Sequence, residues 1–191
     1  MRKLKKMVNA PAASTEQRAP RSPSPDETSQ GGLTKFAKVR IQQDLADFQT
    51  SPDYTFEQID PKDITKFKLV IKPQEGIYEG GKWEFSFDCP PDFPNNPPKV
   101  HCLTQIYHPN IDLEGHVCLS TLRVDKDWSP VTTLNHVVYG ILSLFLYPNP
   151  DDPLNVEAGQ AMKSNEAEFT RTVRKTMKGG RFFGKDFPRL I

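Results

Sequence analysis

The residues best equipped for chemistry lie in one short tract, His108-Pro109-Asn110-Ile111-Asp112-Leu113-Glu114-Gly115-His116-Val117-Cys118-Leu119. Three kinds of chemistry compete for it. His101, Cys102, His108, His116 and Cys118 are all metal-ligand types. They form only an adjacent pair and a His-x-Cys pair, without the paired Cys-x-x-Cys or His-x3-His spacings of zinc sites. Cys118 with His108 or His116 could be a cysteine nucleophile and its base, but such a pair needs a third orienting group and shows no local protease signature here. Cys118 could also be a buried structural thiol, the reading that composition alone favours.

The elements around the tract must position it. Leu33 to Phe48 carries apolar residues at 33, 37, 41, 45 and 48, which predicts one amphipathic helix. Lys35, Lys38, Arg40 and Gln42 fall mostly on its other side, either a solvated face or a partner contact. Phe67, Leu69 and Ile71, then Trp83, Phe85 and Phe87, alternate with other residues. That period of two marks half-buried strands. Glu79-Gly80-Gly81 supplies a turn between them, and Tyr54–Ile59 and Lys99–Leu103 are weaker strands. A four-stranded antiparallel meander is expected.

Residues 90–98 contain five prolines in nine positions, so neither helix nor strand interior fits. Phe93-Pro94 or Pro97-Pro98 could hold a cis bond. From Tyr107 to Pro130 no clean period appears, and a long irregular stretch inside a compact domain is usually functional. Thr133 then caps a helix whose face is Leu134, Val137, Val138, Ile141, Leu144 and Phe145, stopped by Tyr147-Pro148-Asn149-Pro150. Asn155 caps a short helix through Met162. Asn165 with Glu168 resembles a capping box for a last helix ending at Gly179-Gly180. The order of helix, strands and helices gives an α+β domain with helices packed on an antiparallel sheet.

Composition bounds the function. The chain has 191 residues, 36% of them hydrophobic, and a formal net charge of +1. No global field argues for nucleic acid or an acidic membrane surface. No apolar run approaches the ~20 residues of a membrane span, and no apolar stretch of signal-peptide type follows the basic start. Three cysteines, Cys89, Cys102 and Cys118, are an odd number without framework spacing, which suggests a reducing compartment, cytosol or nucleus. Cys89 and Cys102, on or beside predicted strands, read as small core residues. Residues 1–31 read as a tail: Ala10 to Gly32 holds four prolines and few large apolar side chains, too few to offset the entropy of ordering. Leu4 and Met7, at i, i+3 among basic residues, could anchor a short docking peptide or simply belong to a solvated basic end.

Taken in order, these pieces resemble the ubiquitin-conjugating enzyme family. The matching tracts are Phe93-Pro94…Pro97-Pro98-Lys99-Val100, His108-Pro109-Asn110, Gly115…Cys118-Leu119, Trp128-Ser129-Pro130 and Pro148-Asn149-Pro150-Asp151-Asp152-Pro153-Leu154. Each alone is weak; the set, spread over roughly residues 33 to 180, is specific and displaces the structural-thiol reading. The resemblance implies domain bounds of 1–31 for a docking extension, 32–183 for the catalytic core and 184–191 for a C-terminal tail.

By the same resemblance, Cys118 is the thioester-forming nucleophile. Asn110 is an oxyanion donor or an organiser of the loop, and His108 and Pro109 shape the turn. Asp152 positions or deprotonates the incoming lysine, or is simply a residue of its Pro-flanked turn. Trp128 and Pro130 help form the ligase-facing surface. A neutral amide donor at a tetrahedral oxyanion is worth ~3 kcal/mol, and a partly exposed thiolate on a loop is open to a large partner. No metal and no cofactor are implied, since ATP is used by the upstream activating enzyme.

Within the family the neddylation branch is the most similar, through His108–Gly115, Asp152-Pro153-Leu154-Asn155, Gly179-Gly180 and the basic extension. That implies a ubiquitin-like modifier, a heterodimeric activating enzyme docked through Leu4, Met7, Lys35 and Lys38, a RING-type ligase and cullin substrates, in cytoplasm and nucleus. His116 and Ser120 stand where Asn is usual, Arg123–Trp128 is one residue longer, and Trp128-Ser129-Pro130 has the form common in enzymes of ubiquitin itself. The rival readings are a ubiquitin-specific conjugating enzyme, a non-catalytic binding module of the same fold, and a plain cysteine hydrolase.

Overall fold

The computed structural model describes residues 33–49, 51–123 and 127–191. Its elements run in the order α1 (Lys35–Ala46), β1 (Tyr54–Asp60), β2 (Asp63–Ile71), β3 (Trp83–Asp88), β4 (Lys99–Cys102), α2 (Leu134–Leu146), α3 (Val156–Ser164), α4 (Glu166–Met177), β5 (Gly180–Phe182) and β6 (Lys185–Phe187). A 3-10 turn, Ser120–Leu122, interrupts the long connection between β4 and α2.

Strands β1 to β4 form the expected antiparallel meander, in the order β1-β2-β3-β4. The alternation read from the sequence fixes which face turns inward. Phe67 pairs with Phe87, Leu69 with Phe85 and Ile71 with Trp83, and all six side chains are buried. Helix α2 covers that face with the residues its period selects: Leu134, Val137, Val138, Ile141, Leu144 and Phe145 are all buried. Phe145 packs against Trp83 at 5.0 Å between ring centroids. Each such side chain contributes about 1.5–3 kcal/mol by leaving water. The β2–β3 connection is broader than a tight hairpin, because residues 72–82 turn inward to bury Tyr78, whose hydroxyl donates to the Tyr107 carbonyl at 2.9 Å.

Side-chain caps set the helix bounds. Thr34 accepts the Ala37 N–H at 3.0 Å, so α1 begins at Lys35 rather than Leu33. Thr133 and His136 close a reciprocal capping box on α2. Asn155 and Asn165 cap α3 and α4 by accepting the N–H groups of Ala158 and Glu168. Phe93-Pro94 is cis.

Two readings need correction. Arg40 is no member of a solvated basic face. It bonds Asp44 at 2.9 Å and the carbonyls of Pro130 and Thr132 at 2.6 and 2.8 Å. Buried Asp44 accepts the Leu134 N–H at 3.0 Å in turn, tying α1 to the start of α2. Nor is 184–191 a separate tail. Strands β5 and β6 form a hairpin across residue 184, Phe187 is buried, and the Leu190 N–H returns to the Met177 carbonyl at 2.8 Å. The buried Phe187 ring and that backbone hydrogen bond tie the segment to the domain. The glycines after α4 supply the reversal, with Gly179 at φ +84° and Gly184 at +74°.

Candidate active site

The 107–123 connection is irregular yet closely held. Isolated bridges join His101 to His116, His108 to Ile111 and Ile111 to Val117. Asp112 organises the turn before the cysteine: its carboxylate accepts the N–H groups of Glu114 and His116 and contacts the His116 ring at 2.8 Å. Gly115 is required there. Its φ is +90°, and a Cβ would stand 2.3 Å from the Cys102 carbonyl oxygen. Beyond the cysteine, Leu119 is buried close against Gly140 of α2, where any Cβ would fall 2.9 Å from a Leu119 methyl. Cys118 therefore stands on a fixed strut although no regular element carries it.

His108 is fully buried, stacked on Tyr78 at 5.1 Å. Its Nδ1 accepts the Asn110 backbone N–H at 2.9 Å, so the proton must sit on Nε2, which donates to the Leu144 carbonyl at 2.9 Å. Burial pushes its pKa down to about 4. A neutral ring with both nitrogens occupied shapes the turn and has no capacity left to serve Cys118 as a base. The Pro109 carbonyl accepts the Asn155 N–H at 2.9 Å, pinning the turn to the start of α3.

Asn110 is 3% exposed. Its Nδ2 donates to the carbonyls of Asn149 and Asp152 at 2.9 and 3.4 Å, and its Oδ1 accepts the Asn149 N–H at 2.8 Å. Its backbone carbonyl accepts the Cys118 N–H at 2.8 Å. One residue thus joins the cysteine strand to the 149–152 loop, so of the two roles open to it, the geometry favours organiser over oxyanion donor.

Cys118, partly exposed, faces Arg123, whose Nη2 lies 2.7 Å from Sγ. The same Nη2 is 3.7 Å from Oδ2 of Asp152, a carboxylate whose side chain is 77% exposed. Cys118, Asn110 and Asp152 are therefore brought together across 42 residues of sequence, with Arg123 as a fourth member that residue-by-residue reading missed. The available signal was a fixed cation five positions beyond the cysteine, hidden by the lack of any period there. The other two thiols are of a different kind: burial pushes Cys89 and Cys102 up to about 12. The zinc candidates His108 and Cys102 are turned to backbone carbonyls, and among the described residues no group of three or more His, Cys, Asp or Glu converges on a metal position.

Trp128 donates from Nε1 to the Pro94 carbonyl at 2.9 Å and packs on Phe93. Together with the Arg40 contacts to Pro130 and Thr132, this joins loops 90–98 and 127–133 and helix α1 into one surface. Lys35 and Lys38 are exposed on α1; Leu4 and Met7 lie outside the described residues.

A partly exposed thiol, a cation and an exposed carboxylate suit group transfer between large partners. Comparison with known proteins agrees. The family described as ubiquitin-conjugating enzyme matches residues 40–177. The Nedd8-conjugating enzyme UbcE2M of Drosophila melanogaster is 45% identical over 152 residues, covering 80% of this chain and 83% of its own. The NEDD8-conjugating enzyme UBC12 of Yarrowia lipolytica is 44% identical over 169 residues, 86% of this chain and 93% of its own. The solved structure of S. cerevisiae Ubc12 superposes with a TM-score of 0.74 at 40% identity, covering 81% of this chain and 85% of that one.

Proposed function

Since this chain belongs to the ubiquitin-conjugating enzyme family, we propose that it accepts NEDD8 from an activating enzyme as a thioester on Cys118 and transfers it to a substrate lysine. The observation that carries this reading is the grouping of a partly exposed Cys118 with Asn110, Asp152 and Arg123, on a chain similar to NEDD8-conjugating enzymes over most of its length.

In the first step the Cys118 thiolate attacks the modifier's activated C-terminal carbonyl, and the activating enzyme's cysteine leaves. In the second, the lysine Nζ attacks the Cys118 thioester, the C–N bond forms and Sγ departs as thiolate. The thioester is already activated, so the protein contributes orientation, removal of the amine proton and stabilised charge. Asp152, exposed and 3.7 Å from the Arg123 Nη2 that also meets Sγ, holds or deprotonates the amine in this reading. Asn110 keeps that loop against the cysteine strand. ATP is consumed upstream, by the activating enzyme.

The finer partners follow the same reading. A RING-type ligase meets the surface of α1 and the two Trp128-linked loops, and cullins supply the lysine. The activating enzyme docks on Lys35, Lys38 and the extension carrying Leu4 and Met7. The setting is the reducing cytosol or nucleus, in keeping with three free thiols.

A charging assay tests this. The protein is mixed with ATP and either the NEDD8 or the ubiquitin activating enzyme with its modifier, then run on a non-reducing gel with Cys118→Ala as control. A thiol-sensitive shift with the NEDD8 pair only, absent from the variant, is expected. A shift with the ubiquitin pair only transfers the reading to ubiquitin, and no shift with either, from folded protein, overturns it in favour of a binding module. Deleting residues 1–30 should leave the domain folded and slow charging; unchanged kinetics would dismiss the docking role of the extension.

A further inference from the structure

We propose that Arg123 is a catalytic residue of this site, stabilising the negative charge on Sγ of Cys118 both when it attacks and when it leaves. The proposal rests on the thioester chemistry assigned to Cys118 above and names a group that chemistry requires. Sulfur carries a full negative charge at two points of the cycle, before the first bond forms and after the last one breaks. Only in the thioester between them is it neutral. A fixed cation beside Sγ therefore favours both half-reactions.

The geometry supplies that cation. Arg123 follows the 3-10 turn Ser120–Leu122, and its N–H closes the turn on the Ser120 carbonyl at 2.9 Å. The chain reverses there, so a residue five positions on folds back to place Nη2 2.7 Å from Sγ. The Trp128 N–H bonds the Arg123 carbonyl at 3.0 Å, which fixes the backbone from the other side. The same Nη2 also lies 3.7 Å from Oδ2 of Asp152. Without it, a carboxylate suited to capturing the amine would face a thiolate of the same sign. With it, both anions share one cation that stays protonated through the cycle. Because the cation faces the sulfur, it stabilises the leaving group while Asp152 meets the amine from the solvent side.

Charge-assisted hydrogen bonds are worth more than neutral ones. The Arg123 side chain is 33% exposed, so water recovers part of the loss, and a rate effect of about tenfold is expected from its removal.

The experiment first confirms that the wild-type chain charges on Cys118. If it does not, the thioester reading fails before Arg123 is at issue. Alkylation of Cys118 by iodoacetamide is then followed at pH 7.5 by mass spectrometry of the Cys118 peptide, in wild type, Arg123→Ala and Arg123→Lys. Discharge of the preformed thioester by hydroxylamine, a neutral nucleophile, is followed in parallel. Circular dichroism and thermal melting establish that each variant is folded. About tenfold slower alkylation and discharge in Arg123→Ala, partial recovery in Arg123→Lys, and recovery of the alanine variant with added methylguanidinium support the proposal. A purely structural role would not respond to free methylguanidinium. Alkylation and discharge within twofold of wild type in folded Arg123→Ala, or slowed rates that neither lysine nor methylguanidinium restores, overturn it. If Arg123→Ala does not fold, Arg123→Met replaces it with the same criteria.

Discussion

Asn110→Ala separates two accounts of this residue. The side chain is buried and makes three contacts to the 149–152 loop, at 2.8, 2.9 and 3.4 Å. Two have good geometry and the third is long. At roughly 1 kcal/mol for each well-made bond, truncation should cost about 2 kcal/mol of folding stability. For a domain of this size that lowers Tm by about 4–8 °C. Freed from Asn110, the loop carrying Asp152 no longer keeps its place against the Cys118 strand, so discharge to lysine slows together with the loss of stability. Urea denaturation and calorimetry measure the first effect, and single-turnover discharge the second. Asn110→Asp sharpens the test. It keeps the acceptor for the Asn149 N–H but turns a carboxylate oxygen toward the carbonyls of Asn149 and Asp152, so it should be at least as unstable as the alanine variant. If Asn110→Ala kept wild-type stability to within about 0.5 kcal/mol while discharge fell a hundredfold, the organiser role would be wrong. Asn110 would then act on the oxyanion directly, a role worth ~3 kcal/mol in the transition state and nothing in the fold.

Two further outcomes follow from buried groups. His108 is neutral when folded, with its pKa down at about 4, against about 6.5 in the unfolded chain. The unfolded chain therefore binds more protons between those values, so stability is complete above about pH 6.5 and falls as the pH drops toward 4. The loss is roughly 2 kcal/mol by pH 5, and urea titrations at pH 8, 6 and 5 should show it in wild type and not in His108→Gln; equal slopes would remove His108 as the cause. Phe187→Ala empties a buried aromatic site at the end of the C-terminal hairpin and should cost about 3 kcal/mol. A loss below about 0.5 kcal/mol would restore residues 184–191 to the status of a tail.

Much of this protein was legible in its sequence because the relevant physics is local or periodic. Alternation in β2 and β3 marks the inward face of the sheet, and the 3.6-residue period of α2 marks all six residues that cover it. Thr133, Asn155 and Asn165 mark helix starts because a capping side chain acts within three residues of itself. The order of short tracts around Cys118 was enough to indicate the chemistry by resemblance. What the tertiary structure decided depends on groups distant in sequence or lacking any period. Arg40 and Asp44 look like surface charges until loop carbonyls and the start of α2 surround them. Phe187 lies in a short segment without a readable period, and its burial follows only when the hairpin brings its ring against Phe182 and Phe183. The Asn110 amide finds its partners 39 and 42 residues away, contacts that no local reading could supply. Arg123 reaches Sγ because a 3-10 turn reverses the chain between them. A thiol's chemistry depends on which charges surround it in space, and spacing along the chain does not specify those.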